Sequence, residues 1–156
     1  MTVQYKGNDI PVQIDSITDT LNYIQEHILP EIFKDDPSIT EKVIYTKISK
    51  NSNIEKTVTA LYNKDIDDKF ICLYSYGSNT QKMLSIIEIL KKVKSEKDSK
   101  QTRQWNKMIT FRNIEEGRNE LLEKKTIVPI LITLITTSDT LTSSIFQNDK
   151  NMFTQQ

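Results

Sequence analysis

Glycine, cysteine and histidine are scarce in this 156-residue sequence, and each shortage excludes a class of protein. Three glycines are too few for a β-barrel with many tight turns. A single cysteine, Cys72, excludes an intrachain disulfide and fits a cytoplasmic or nuclear location. The only histidine, His27, has no second histidine with which to share a metal, so it is interpreted as a surface residue.

Catalytic and membrane signals are also missing. No apolar run approaches the length needed to span a bilayer, and there is no Gly-x-x-x-x-Gly-Lys loop. Cys72 lies in an apolar run typical of a core strand rather than of a nucleophile. Acids and bases alternate over residues 115–125, which is typical of a solvated face: Glu115, Glu116, Glu120 and Glu123 with Arg118, Lys124 and Lys125.

The formal net charge of zero conceals an uneven distribution. Residues 1–41 carry two lysines against eight acidic residues, whereas residues 42–125 carry eighteen basic against eleven acidic residues. An acidic first third beside a basic middle indicates a surface for a polyanion, although a solvated lysine-rich surface has the same composition.

Residues 70–92 predict a buried strand, a turn and an amphipathic helix in succession. The apolar run of residues 70–74 is continuous, as in a strand covered on both faces. Gly77 then allows a sharp turn, and Ser78 with Gln81 predicts a helix cap. The helical stripe is wider than one sheet face requires, which predicts that the helix also touches a partner: Met83, Leu84, Ile86, Ile87, Ile89, Leu90 and Val93.

The other elements follow from periodicity and breakers. We predict an extended arm over residues 1–14, a helix opened by Ser16 and limited or kinked by Pro30, and a strand over 42–48. A short helix capped by Ser52 with Glu55 follows, and the polar segment after Val93 is predicted to be mobile. Two strands end the pattern, at 105–111 and 127–135, joined by a charged connection over 113–125.

Two details of these last strands allow more than one interpretation. Pro129 removes a ladder donor, so we expect it at the strand start or at a bulge. Trp105 lies between Arg103 and Lys107, where it could stack on an unpaired base or pack in the sheet or an interface, and we favour packing.

The element order therefore predicts an α/β (α+β) fold, a two-layer β-α-β-α-β-β sandwich with an extra N-terminal helix. Its parts are an arm and helix (1–41), the sandwich (42–136) and a polar tail (137–156), loose or ordered by a partner. Two helix starts meet at one sheet edge and suit an anion such as a phosphate backbone, with Lys50 and Lys82 beside them. Every capped helix offers such a start, so this feature alone is weak.

Several strings resemble the Alba family, and in particular the fungal Alba-type subunit of nuclear ribonuclease P and ribonuclease MRP. They are SYGSNTQKMLSIIEILKK, QWNKMITF, EGRNEL and VPILITL, within residues 42–136. The resemblance implies an Alba-like sandwich that pairs with a second Alba-type subunit and binds a helix–internal loop–helix RNA, while RNA and metal perform the chemistry. It also implies tRNA and rRNA processing, a nuclear and nucleolar location, association with telomerase RNA, and no cofactor or metal of its own.

The resemblance and the turns together define candidate site residues. Archaeal Alba proteins carry a lysine and an arginine where this chain has Asn51 and Ser78, which disfavours general duplex binding. The candidate interface with the partner subunit comprises Met83, Ile87, Leu90 and Trp105. The candidate RNA-binding residues are Lys50, Asn51, Ser78, Asn79, Lys82, Arg112, Arg118, Lys124 and Lys125.

We therefore predict a non-catalytic RNA-binding subunit. The alternatives are an Alba-like protein of chromatin or mRNA, a small enzyme acting on a phosphorylated substrate, and a purely structural interaction module. A turnover assay separates the enzyme, and RNA affinity with and without a partner separates the structural module.

Overall fold

One mixed sheet organises the described part of the chain. The computed structural model describes residues 2–34, 37–64, 69–98, 101–115, 123–137 and 153–155. Its strands follow the order β2-β1-β5-β6-β4-β3, and β7 pairs with β5. The strands are β1 (Thr2–Tyr5), β2 (Asn8–Ile10), β3 (Val43–Lys47), β4 (Phe70–Tyr76), β5 (Arg103–Glu115), β6 (Lys124–Thr136) and β7 (Thr154–Gln155). The α-helices are α1 (Ile17–Tyr23), α2 (Leu29–Phe33), α3 (Pro37–Thr40), α4 (Ile54–Tyr62) and α5 (Asn79–Asp98).

Strand β4 is buried along its whole length, as its continuous apolar run predicts. It pairs in parallel with β3 and antiparallel with β6. Cys72 and Tyr74 belong to one core cluster, whereas Ile71 and Leu73 belong to another. Because successive side chains of a strand point to opposite faces, the two clusters lie on opposite sides of the sheet.

Helices cover both faces of this sheet. Both crossover helices share one face, since Val58 of α4 and Ile86 of α5 pack with Leu73 in one cluster. The N-terminal helical segment lies on the other face, where Leu21 and Phe33 are fully buried. The predicted α/β sandwich is confirmed, and the extra helix forms a second helical layer.

Pro30 widens the N-terminal helix instead of ending it. A π-helical segment, Ile24–Ile28, joins α1 to α2, and Pro30 is the second residue of α2. A proline has no N–H to bond the carbonyl four residues before it, and the wider turn accommodates that loss within a continuous helix.

The predicted arm is a hairpin on the sheet. Strand β1 pairs with β2 through a two-residue turn at Lys6 and Gly7, whose φ angles are 52° and 80°. Two positive φ values suit the right-handed twist of the strands. The other edge of β1 pairs with β5, so the first residues of the chain extend the sheet.

Helix α5 continues past Val93, where the sequence predicted a mobile segment. Lys94 is only 5% exposed, and its Nζ donates to the Tyr62 carbonyl at 3.2 Å and lies 5.0 Å from the Tyr62 ring centre. These contacts tie the additional turn of α5 to the end of α4. The prediction of a mobile segment from residue 94 was therefore wrong as far as Asp98.

Two cap and boundary predictions also need correction. Helix α4 is capped by Asn53, whose side chain accepts the N–H of Lys56, and not by Ser52. Strands β5 and β6 continue in pairs as far as Glu115 opposite Lys124, well into the predicted connection. Residues 116–122, with Gly117 and Arg118, lie outside the described residues.

Pro129 lies inside β6, neither at its start nor at a bulge, because the register runs without a break through Thr110 opposite Pro129. Strand β4 pairs with β6 only as far as Tyr76. The next residue, Gly77, donates its N–H to the Pro129 carbonyl at 2.9 Å. Because the nitrogen and the carbonyl of one strand residue face the same neighbouring strand, the Pro129 nitrogen also faces β4. The Gly77 carbonyl accepts instead from Thr80, so the missing N–H of Pro129 leaves no acceptor unpaired.

Buried tyrosines should make the fold sensitive to alkali. The hydroxyl of Tyr74 donates to Gln25 at 2.6 Å, and that of Tyr76 donates to the Ile14 carbonyl at 2.7 Å. Burial, above all, raises the pKa of both hydroxyls above the ordinary value of 10.0 and raises the pKa of Tyr45 to about 12. Unfolded tyrosines lose their protons first, so stability is intact below pH 10 and falls as the pH rises above it.

We therefore expect the urea midpoint to fall between about pH 9 and pH 11, and to fall less steeply in Tyr74→Phe, which has one ionisable hydroxyl fewer. Urea titrations followed by circular dichroism measure both slopes. Equal slopes for the two proteins would show that Tyr74 does not link the fold to pH.

Candidate nucleic-acid interface

Two turns lie side by side at one edge of the sheet. Because β3 and β4 are parallel, the turn from β3 to α4 and the turn from β4 to α5 emerge at the same end. Lys50 and Asn51 belong to the first turn, and Ser78 immediately precedes the first residue of α5, Asn79. Lys50, Asn51 and Ser78 are exposed, and Asn79 is half-buried. Four of the candidate RNA-binding residues therefore share this edge.

Lys82 joins the two turns. Its Nζ donates to the carbonyl of Lys50 at 2.7 Å and to that of Ser49 at 3.2 Å, from the first turns of α5. The first turn is also closed on itself, since the Ser49 N–H donates to Ser52 Oγ at 3.0 Å and the Ser52 N–H to the Ser49 carbonyl at 3.1 Å. The sequence placed Lys82 near this edge but gave no sign of the contact across it.

The β5–β6 hairpin carries a second group of basic residues at the same end of the sheet. Tyr76, the last residue of β4, pairs with Ile130, so the start of β6 projects beyond the helix-start edge. Arg112, Lys124 and Lys125 are exposed on this projecting part. Basic side chains of the β3–α4 turn, of helix α5 and of the hairpin thus lie at one end of the sheet, where a phosphate backbone could reach this end.

The four residues predicted to meet a partner are buried within the chain itself. Met83, Ile87 and Leu90 are 0% exposed and pack between α5 and the sheet. Trp105 is 3% exposed, meets Phe70 edge-on, and has the guanidinium of Arg103 4.8 Å from its ring centre. Within the described chain Trp105 therefore packs in the core, and its ring is not a platform for a base.

Other apolar side chains are exposed. Ile127 is 66% exposed and Met108 57%. Met108 lies opposite Leu131, which packs under α5, and Ile127 lies four residues before Leu131 on the same face. Helices α4 and α5 therefore leave this part of their own sheet face uncovered. On α5 itself, Leu84 and Ile89 are 45% and 42% exposed, and they are the residues that widen its stripe.

Metal-ligating and nucleophilic groups are few among the described residues. No group of three or more His, Cys, Asp or Glu within them could hold a metal ion. Burial raises the pKa of the Cys72 thiol far above its usual range, so it is no nucleophile. The His27 ring lies against Tyr23, with 4.7 Å between the ring centres. No helix described is both long and apolar enough to cross a membrane.

These features define an α/β sheet protein with a basic end and an uncovered apolar area on one face. No family model matches the chain. The chain belongs to the family of the ribonucleases P/MRP protein subunit POP6, because it is 39% identical over 145 residues to that subunit of Saccharomyces cerevisiae. The match covers 88% of this chain and 90% of the yeast subunit.

Proposed function

We propose that this chain is a non-catalytic, RNA-binding protein subunit of ribonuclease P and ribonuclease MRP. The similarity to the yeast subunit along nearly the whole chain is the observation that carries the proposal. The basic end of the sheet agrees with a role in binding RNA. The assembly would act in tRNA and rRNA processing in the nucleus and nucleolus, with catalysis residing in its RNA.

The subunit would work as one half of a heterodimer with a second Alba-type protein. The order β3-α4-β4-α5-β5-β6 is that of the Alba sandwich, which supports the assignment. The uncovered area around Met108 and Ile127 supports pairing, because exposed apolar side chains on an otherwise covered face favour association. Leu84 and Ile89 would extend this surface, while Met83, Ile87, Leu90 and Trp105 would support it from within.

RNA would bind across the two turns and the hairpin. Lys50, Asn51, Ser78 and Asn79 would meet the backbone at the turns, with Arg112, Lys124 and Lys125 on the hairpin. Arg118, which lies between these strands in the sequence, is proposed as a further contact. The charge of the whole chain is balanced, so non-specific attraction is modest and shape must contribute. Asn51 and Ser78 stand where archaeal Alba proteins, which the sequence resembles, carry cations, and this favours RNA with an unpaired internal loop over plain duplex. The resemblance extends the proposal to telomerase RNA.

Competition for RNA tests this proposal. The tagged chain is purified with its associated subunits and bound to a labelled helix–internal loop–helix RNA from its own ribonuclease P RNA. Unlabelled duplex DNA, duplex RNA and the same RNA with its loop closed are then added separately. We expect each to compete at least about tenfold less well than the looped RNA, a difference of about 1.4 kcal/mol.

If these three nucleic acids compete as well as unlabelled looped RNA does, the result would favour an Alba-like protein of chromatin or mRNA. Sequencing of the RNA that copurifies with the chain is an independent check. Recovery of ribonuclease P and MRP RNAs is expected, and recovery of bulk mRNA alone would overturn the proposal.

A further inference from the structure

The ammonium of Lys82 is committed to the backbone of the neighbouring turn. Two of its three donors are used by the carbonyls of Ser49 and Lys50, at 3.2 Å and 2.7 Å. Lys82 is half-buried, whereas Lys50 is exposed. A phosphate would therefore have to compete with two charge-assisted hydrogen bonds for this group.

We propose that Lys82 is a positioning residue of the RNA-binding edge: it fixes the β3–α4 turn so that Lys50 and Asn51 meet the RNA backbone, and it does not itself contact phosphate. The inference rests on the proposed function and assigns Lys82 a role different from that of its neighbours. Its basis is the pair of contacts across the gap between the two turns.

Peptide geometry determines what the contacts do. In a trans peptide unit the C=O and the following N–H point in opposite directions. When Lys82 engages the carbonyls of Ser49 and Lys50, the N–H groups of Lys50 and Asn51 therefore point away from Lys82. Two successive N–H groups aimed the same way, on residues with exposed side chains, favour an anion.

The contact also removes an electrostatic obstacle. Carbonyl oxygens carry partial negative charge, and two of them at an exposed turn would repel a phosphate. The ammonium of Lys82 offsets this partial charge from the α5 side of the turn. The outer side of the turn is then left with the N–H groups of Lys50 and Asn51 and with the Lys50 side chain. Without Lys82 the turn would keep its own Ser49–Ser52 hydrogen bonds, but nothing would hold the Lys50 carbonyl toward α5. The RNA would then meet a less ordered surface.

The test compares the same substitution at two lysines. Lys82→Met and Lys50→Met each replace a lysine by an uncharged side chain of similar length. Lys92→Met is the control, because Lys92 is exposed on α5, ten residues after Lys82. Each full-length chain is purified with its associated subunits. Affinity for the RNA component of its own ribonuclease P is measured over a range of salt, and amide exchange of residues 49–52 is measured by mass spectrometry.

For Lys82→Met we expect about tenfold weaker RNA binding and faster amide exchange in residues 49–52. The salt slope, which is the change in the logarithm of affinity with the logarithm of salt concentration, should stay the same. For Lys50→Met we expect the magnitude of the salt slope to fall by about one, and the amide exchange of residues 49–52 to stay the same. Lys82→Arg, which can still donate to both carbonyls, should restore slow exchange and most of the affinity. Lys92→Met should match the wild type in every measurement.

A salt slope lowered by about one in Lys82→Met, with slow exchange retained, would mean that Lys82 contacts phosphate and would overturn the inference. Unchanged affinity would overturn it as well. A wild-type chain that binds no RNA would refute the proposed function, whereas the exchange measurement would still show whether Lys82 orders the turn.

Discussion

Replacing Ile87 by aspartate is expected to unfold the chain rather than only to separate it from a partner. Ile87 is 0% exposed and packs with Met83 and Leu90 between α5 and the sheet. The substitution removes a large apolar side chain and leaves a carboxylate without a partner, which together cost more than about 4 kcal/mol. Typical domains have only about 5–15 kcal/mol in total. Urea unfolding and far-ultraviolet circular dichroism measure the loss.

The matched control lies three residues away on the same helix. Leu84 is 45% exposed, so Leu84→Asp should keep the fold and change the unfolding free energy by less than about 1 kcal/mol. A folded Ile87→Asp protein with wild-type stability would contradict the placement of Ile87 in the core.

Charging the uncovered area of the sheet is expected to abolish pairing while leaving the fold intact. Met108 and Ile127 are 57% and 66% exposed, so aspartate at both positions remains solvated in the isolated chain. In a complex the two carboxylates would replace apolar contacts worth about 1.5–3 kcal/mol each. The double variant should weaken the heterodimer by at least about 100-fold, measured by sedimentation of the co-expressed subunits.

Asn22→Asp provides the control, because Asn22 is exposed on α1, on the opposite face of the sheet, and the substitution adds charge without removing an apolar contact. It should pair as the wild type does. Undiminished pairing of the Met108→Asp, Ile127→Asp protein would place the partner on another surface. A wild-type chain that sediments as a monomer at micromolar concentration even in the co-expressed preparation would contradict the heterodimer.

The centre of the fold could be predicted from the sequence because several local signals agree there. A continuous apolar run, a glycine and a helical stripe each specify one element, and β4, Gly77 and α5 follow in that order. Gly77 has a φ of 65°, the conformation for which glycine is favoured. The parallel pairing of β3 and β4 follows from the crossover helix between them, and it brings the two turns together.

Features that depend on distant residues could not be predicted in this way. The buried environment of Lys94 is created by Tyr62, thirty-two residues earlier, and the contact of Lys82 with Lys50 spans a similar separation. The apolar residues of α5 predicted a wide apolar stripe along the helix. They did not show which of these residues the sheet would bury and which would stay exposed. Met108 gave no signal, because an apolar residue in a strand is normally buried, whereas Met108 is exposed where neither α4 nor α5 covers the sheet.

Pro129 shows how one strand can set the length of another. Pro129 has no N–H to donate to the Gly77 carbonyl, so the hydrogen bonds between β4 and β6 end at Gly77. The Gly77 carbonyl accepts instead from Thr80 at the beginning of α5. The place where β4 gives way to α5 is thus specified twice, locally by Gly77 and from some fifty residues downstream by a proline. An insertion between Tyr76 and Gly77 would disturb both specifications at once, which makes this boundary intolerant of a change in length.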